Sequence, residues 1–190
     1  AEETIRVGHF PNITHAQALV GLANGTFQKA LGTTKIDVKT FTAGPSEIEA
    51  LFAGALDLAY IGPGPAINGF VKSKGEIVVI AGGCSGGASL IVRKELPLAS
   101  PQDFHNLRIA SPQLGGTQDI ALRSWLAKNG LAPVEKGGDV KVLPIANADQ
   151  LTLFQQKRLD AAWAPEPWAT RLVAEGGGKV FIDERTLWPE

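Results

Sequence analysis

The 190-residue sequence predicts an α/β protein built as two similar lobes. Short apolar runs alternate with segments of helical period, the pattern of strand–helix units with right-handed crossovers and mainly parallel sheets. The stretch Leu56-Asp57-Leu58-Ala59-Tyr60-Ile61-Gly62-Pro63-Gly64-Pro65-Ala66-Ile67 reads as a buried strand that turns directly into a helix. A counterpart, Leu159-Asp160-Ala161-Ala162-Trp163-Ala164-Pro165-Glu166-Pro167, repeats the Leu-Asp, the aromatic after it and a Pro-x-Pro turn. Each copy follows a helical pattern containing Leu-Phe, at Leu51-Phe52 and Leu153-Phe154. The register slips by a residue in the turn and in the lead-in, so this is a quasi-repeat. Chance similarity of a common unit is the competing explanation.

Taken in order, Ile5 to Phe10 alternates into a first strand, and Thr14 is placed to cap a helix. Along that helix Leu19, Leu22, Ala23, Phe27, Ala30 and Leu31 share a face, and Gly32 stops it. Ile36 to Thr42 is the second strand. Gly44-Pro45-Ser46 opens a helix with Ile48, Leu51, Phe52 and Ala55 at helical spacing, and Ser46 with Glu49 fits a capping box. A third strand and its Gly-Pro turn lead into a helix from about Pro65 to Lys74, then a fourth strand, Ile77 to Ala81. Gly82-Gly83-Cys84-Ser85-Gly86-Gly87 breaks the alternation and reads as the crossing between lobes, a hinge, or as an ordinary long loop. This sets lobe 1 at residues 1–84, and lobe 2 with the start of a return to lobe 1 at residues 85–190.

The second half opens with a strand at Ala88 to Val92, a capped short helix at Ser100-Pro101-Gln102-Asp103 and a strand at Leu107 to Ala110. A Gly-rich turn, Ser111 to Gln118, starts a helix that buries Ala121, Leu122, Trp125 and Leu126 and ends on the C-cap Asn129-Gly130-Leu131. Val140 to Leu143, Asp149 to Lys157, Leu159 to Trp163, Pro167 to Glu175 and Val180 to Ile182 continue as strand, helix, strand, helix, strand.

Composition bounds the function. With 44% hydrophobic and 19% charged residues this is an ordinary globular chain with core enough for one large or two small domains. Lys plus Arg number 18 against 19 Asp plus Glu, and no basic patch points to nucleic acid. No apolar run approaches a membrane span. A single cysteine, Cys84, excludes an internal disulfide, and no base stands near it in sequence to make it a nucleophile. The start Ala1-Glu2-Glu3 fits an exported protein after signal cleavage, and equally a processed cytoplasmic one. No Gly-x-Gly-x-x-Gly, P-loop, Gly-x-Ser-x-Gly or His-Glu-x-x-His occurs, which argues against a nucleotide enzyme or hydrolase but not against binding.

Parallel α/β sheets bind ligands beyond the carboxyl ends of their strands. The candidate turns are His9-Phe10-Pro11-Asn12, Gly44-Pro45, Gly62-Pro63-Gly64-Pro65, Gly115-Gly116-Thr117-Gln118 and Trp163 to Trp168. Helix N-termini there, each worth roughly 0.3–1 kcal/mol toward an anion, would hold a small anion by backbone alone. None of the turns carries Lys or Arg. His9 and His15 are candidate donors to that anion or plain surface residues, and no close His/Cys/Asp cluster makes them metal ligands. Trp163 and Trp168 pack on an organic tail or belong to the core, and Glu166 recognises an ammonium group, orients a partner or is solvated.

The segments Arg6–Ala16 (RVGHFPNITHA), Ala43–Ser46 (AGPS), Glu49–Gly54 (EALFAG), Leu58–Pro63 (LAYIGP), Gln113–Asp119 (QLGGTQD) and Pro165–Ala169 (PEPWA) together resemble the solute-binding proteins of nitrate/sulfonate/taurine-type ABC importers, most closely the aliphatic-sulfonate binders. The resemblance implies a type II periplasmic binding fold, two α/β lobes joined by a hinge and closing on one solute. It implies a membrane permease as partner, a location in the periplasm or anchored outside the cytoplasmic membrane, and a monomer without catalytic residues, cofactor or metal. By position it implies solute contacts from His9, Phe10, Asn12 and His15, Gly44 and Pro45, Gly62 to Pro65, Gly116, Thr117 and Gln118, and Glu166 with its neighbour Trp163. Cys84 stands in the hinge where relatives commonly have a small hydroxyl residue. It also implies that the C-terminal part of the family fold, which returns to lobe 1, is missing after Trp188-Pro189-Glu190, a truncation that would favour association. The expected function is therefore a receptor for a small organic oxyanion, an alkylsulfonate or taurine-like compound. The alternatives are a biosynthetic enzyme on the same fold, or a receptor for nitrate, bicarbonate or a thiamine-precursor pyrimidine.

Overall fold

The computed structural model describes residues 3–187, so the expectations resting on Ala1-Glu2 and on Trp188 to Glu190 lie outside the described residues. The chain divides into two compact units, Ala1–Ser85 and Gly86–Glu190.

The first unit holds β1 (Thr4–His9), α1 (Ala16–Ala23), α2 (Thr26–Leu31), β2 (Lys35–Thr40), α3 (Gly44–Phe52), β3 (Leu58–Ala59) and α4 (Pro63–Lys72). Its strands are all parallel, in the order β2-β1-β3. The single helix expected between Thr14 and Gly32 is two helices. Gly25 sits at φ 74°, and the Asn24 side chain accepts the Thr26 N–H at 2.9 Å, so Asn-Gly diverts the backbone from the helical ladder. Thr14 lies in a 3-10 turn, Ile13–His15, and caps nothing. The Ser46–Glu49 capping box is absent as well. The helix starts at Gly44 with Pro45 in its first turn, so its N-cap is Ala43, three residues ahead of Ser46, and Ser46 Oγ instead donates to the Ala43 carbonyl at 2.9 Å.

The expected strand Ile77–Ala81 is not a strand. Its apolar run has β propensity but no partner strand: among the described residues the sheet stops at β3, and Val79 and Ile80 are 71% and 76% exposed.

The second unit comprises β4 (Ala88–Arg93), β5 (Arg108–Ser111), α5 (Thr117–Lys128), β6 (Lys141–Pro144), α6 (Asn147–Gln155), β7 (Ala161–Pro165), α7 (Trp168–Ala174) and β8 (Gly178–Asp183). The sheet order is β6-β5-β7-β4-β8, with β6, β5 and β7 parallel. β4 runs antiparallel to both neighbours, which corrects the expectation of helical crossovers throughout. The reason is local: the connection enters the sheet beside the end of β7, pairing Ala88 with Pro165, and residues 73–87, between α4 and β4, form no helix that would reverse its direction. The Ser100–Asp103 capping box forms. Gly130 takes φ 73° while Leu131 N–H bonds the Leu126 carbonyl at 2.9 Å, ending α5 as the sequence predicts.

Both faces of this sheet are buried. Leu90, Val92, Ala161 and Trp163 point to a layer with Phe104, Trp125 and Leu126. Ile91, Ala162 and Ala164 point to the opposite layer with Phe154, Leu159 and Leu172. The period of two along β4 and β7 thus serves two apolar layers, as expected of a strand covered on both sides.

The quasi-repeat is real at side-chain level. In the first unit the Arg6 backbone N–H and guanidinium both bond Asp57, at 2.8, 2.9 and 2.6 Å. In the second, Arg108 grips Asp160 in the same way, at 2.9, 2.8 and 2.7 Å. Each Asp lies at the entry to the strand that pairs with its arginine's strand, β3 with β1 and β7 with β5. Hydrogen bonds from Arg6 hold Asp57 at about 2. At Asp160 burial acts to raise the pKa, and the bonds and charge of Arg108 outweigh it, leaving the group below the usual carboxylate range.

Candidate functional site

In the first unit the turns after β1, β2 and β3 gather at the carboxyl edge of one parallel sheet. Phe41 N–H bonds the His9 carbonyl and Tyr60 N–H bonds the Gly8 carbonyl, each at 2.9 Å, so the turns leave the sheet side by side. A Cβ on Gly44 would fall 2.4 Å from Pro65 Cγ, so only glycine lets the starts of α3 and α4 approach this closely.

His9, Phe10, Asn12 and His15 are all buried. The two histidines take opposite tautomers. His15 Nδ1 accepts the Phe10 N–H at 3.1 Å and carries its proton on Nε2, whereas His9 Nδ1 faces the Phe10 carbonyl at 2.9 Å and must donate to it. Burial, and secondarily the neighbouring His9, pushes the His15 pKa down to about 4. His15 is therefore neutral, and the donor role that the sequence allows it rests on one N–H. Its ring stacks on Phe10 at 4.4 Å and lies 6.4 Å from that of Tyr60.

Neither Ala43 nor Gly62 supplies a side-chain cap, so the starts of α3 and α4 keep their first N–H groups. Prolines thin that supply. Pro63 and Pro65 leave only Gly64 with an N–H among the first three residues of α4, and Pro45 removes one from α3.

In the second unit the turns after β5, β6 and β7 again share one sheet edge, because these strands are parallel. Gly116 is the N-cap of α5 without a side-chain cap, so Thr117 and Gln118 present their N–H groups. Asp119, 1% exposed, holds the turn in shape. It accepts Ser111 Oγ–H, Gly115 N–H and Arg123 Nε–H, each at 2.9 Å. Gln113 Oε1 and Thr117 Oγ1 lie buried in the same turn without hydrogen-bond partners among the described residues.

Glu166 accepts the Thr170 N–H at 3.1 Å, and its own N–H bonds the Gly87 carbonyl at 2.8 Å, tying the turn to the start of this unit. Of the two readings of Trp163 the structure favours the core: it is fully buried, and its indole N–H donates to Glu184 at 2.8 Å. Trp168 carries Arg171 over its ring at 5.0 Å.

Sequence reasoning missed Glu47. It is fully buried beside Gly8 and Leu56, both carboxyl oxygens lack partners among the described residues, and burial pushes its pKa up to about 8. The available signal was Gly8, a glycine inside a strand, which marks a close approach; a Cβ there would lie 2.3 Å from Glu47 Oε1. Cys84 is exposed, with its thiol 2.8 Å from the Thr14 carbonyl. Among the described residues no group of three His, Cys, Asp or Glu could hold a metal, and no helix is long and apolar enough to cross a membrane.

The NMT1-like family profile matches residues 1–190. A relative from Brucella abortus (strain 2308), carrying a binding-protein name, is 32% identical over 131 residues, 68% of this chain and 38% of that protein. The taurine-binding periplasmic protein of Escherichia coli (strain K12) is 28% identical over 174 residues, 90% of this chain and 50% of that one. Among solved structures, the alkanesulfonate-binding protein SsuA from Xanthomonas axonopodis pv. citri, bound to MOPS, superposes with a TM-score of 0.79 at 24% identity, over 98% of this chain and 63% of that chain. The chain thus spans half or less of the length of these two relatives. Its mixed α/β, parallel-rich fold is that of the matched 63% of this alkanesulfonate-binding protein.

Proposed function

The chain belongs to the NMT1-like family, and from that premise we propose that it is the extracytoplasmic solute-recognising component of an ABC importer, taking a small organic oxyanion of the sulfonate class. It hands the solute to a membrane permease and has no catalytic step. The observation that carries this reading is the repeated placement of uncapped helix starts at the carboxyl edge of parallel strands, α3 and α4 in one unit and α5 and α6 in the other.

A sulfonate suits such sites because its charge is spread over three acceptor oxygens, which several dispersed N–H donors satisfy without a salt bridge. The supply favours the second unit: the first three residues of α5 and of α6 all have N–H groups, whereas prolines interrupt α3 and α4. The Gly82–Gly87 connection is the hinge in this proposal, and the solute drives closure only through its greater affinity for the closed form.

A thermal-shift series with alkanesulfonates, 2-aminoethanesulfonate, nitrate, bicarbonate and a thiamine-precursor pyrimidine tests the class. Sulfonates are expected to raise the melting temperature, and no shift with any of them sinks the reading. Thr117→Val removes a buried hydroxyl without changing shape. It is expected to weaken sulfonate binding roughly tenfold with the ligand-free melt unchanged, and an unaltered affinity removes this turn from the site.

A further inference from the structure

The turn after β6 stands outside the five that the sequence singles out, yet it carries the same construction with one addition. Ile145 N–H bonds the Ser111 carbonyl at 2.8 Å, so this turn lies directly against the one after β5. The nine-residue α6 then begins at Asn147, and its N-cap, Ala146, gives no side-chain cap.

Asn147 is only 7% exposed, and its Oδ1 has no partner among the described residues. Gln150, 1% exposed, donates Nε2–H to the Ile145 carbonyl at 2.7 Å, which fixes the orientation of its amide. The remaining atom, Oε1, is therefore an acceptor, and it too is buried and unpartnered among the described residues. Gln113 Oε1 repeats the pattern on the neighbouring turn, where the Thr117 hydroxyl, able to donate as well as accept, is also without a partner among the described residues.

Buried acceptors without donors are costly, and several on adjacent turns mark a place where a ligand brings hydrogens. The backbone N–H groups at the starts of α5 and α6 have the opposite polarity and suit an anion. A solute that satisfies both sets is an anion with its own N–H or O–H donor.

We propose that the turn Ile145–Asn147 is a solute-contacting element in which Asn147 accepts a hydrogen bond from an amino group of the solute, selecting aminoalkylsulfonates over bare alkanesulfonates. The inference rests on the sulfonate-binding reading above. Gln150 acts on Asn147's turn from behind, holding the Ile145 carbonyl in place.

Calorimetric titration of the full-length protein with 2-aminoethanesulfonate and with ethanesulfonate tests it. The wild type is expected to bind the amino compound about tenfold more tightly. Asn147→Ala is expected to erase that difference by weakening the amino compound alone, with the ligand-free melt unchanged. Asn147→Asp, which keeps an acceptor and adds charge, is expected to retain the amino compound and to repel ethanesulfonate. Where the alanine variant fails to fold, Asn147→Leu, close in volume and without an acceptor, carries the same comparison.

Equal loss of both ligands in the alanine variant, or loss of the amino compound in the aspartate variant, overturns the inference while leaving sulfonate binding intact. Binding of neither compound by the wild type instead sinks the sulfonate reading itself.

Discussion

Glu47 is held at the start of α3 with its carboxyl against Gly8 and Leu56, where water cannot reach it. Burial favours the neutral acid, and the folded-state pKa rises to about 8 from the ordinary 4.5. Between those values the folded state holds a proton that the unfolded chain has released. The stability tied to this proton is complete below about pH 4.5, falls as pH rises, and is lost by about pH 8. The loss already incurred at pH 7 is of order 2–4 kcal/mol. Glu47→Gln removes the titration, so its melting temperature is expected to run flatter with pH between 5 and 8 than that of the wild type. Parallel curves for the two proteins would remove Glu47 from the account. In the sequence Gly8 marks a close approach without naming Glu47 as what approaches, and the two readings of Trp163 stay level, because both outcomes depend on what packs around them. A buried carboxyl and a solvated one are the same letter, and Trp163 finds its partner, Glu184, only after the chain has folded back.

Elements were more legible than residues, and the repeat shows why. Leu-Phe, Leu-Asp and Pro-x-Pro are local signals, so α3–β3 and α6–β7 announce themselves as copies. The arginine that clamps each Asp lies far upstream on the partner strand, beyond the reach of local pattern. The same limit explains the failed strand at Ile77–Ala81, since propensity supplies a strand's inside but never its neighbour. The copies differ at one telling position. Gly54 takes φ 64° where α3 gives way to β3, and Lys157 takes φ 60° at the matching corner after α6. A lysine in this left-handed region is strained, and glycine is not. Lys157→Gly is expected to stabilise the protein by about 0.5–1 kcal/mol in denaturant titration, because the carbonyl that receives Arg108 is backbone and survives the change. Destabilisation would show that the lysine side chain contributes more than its backbone costs.

At the scale of the molecule the two units follow a similar plan, each with a different core. Both clusters of buried apolar residues lie in the second unit, on opposite faces of its five-stranded sheet. Among its described residues the first unit has three strands, a handful of buried apolar side chains such as Val7, Ile48 and Leu56, and a buried ionisable group among them. It also leaves Ile67, Phe70 and Val71 of α4 exposed along with Val78 to Ile80, apolar surface that contributes nothing to its stability. Opening free energy scales with the apolar area an element covers, so the first unit opens at lower cost than the second. Hydrogen exchange on the ligand-free 190-residue chain at neutral pH reads this directly. Amides of Leu90, Ile91, Ala162 and Trp163 are expected to exchange last, and those of Val7 and Val38 at least about tenfold sooner. Equal protection in the two units without solute would mean that they open together, and that the apolar layers of the second unit support the whole chain.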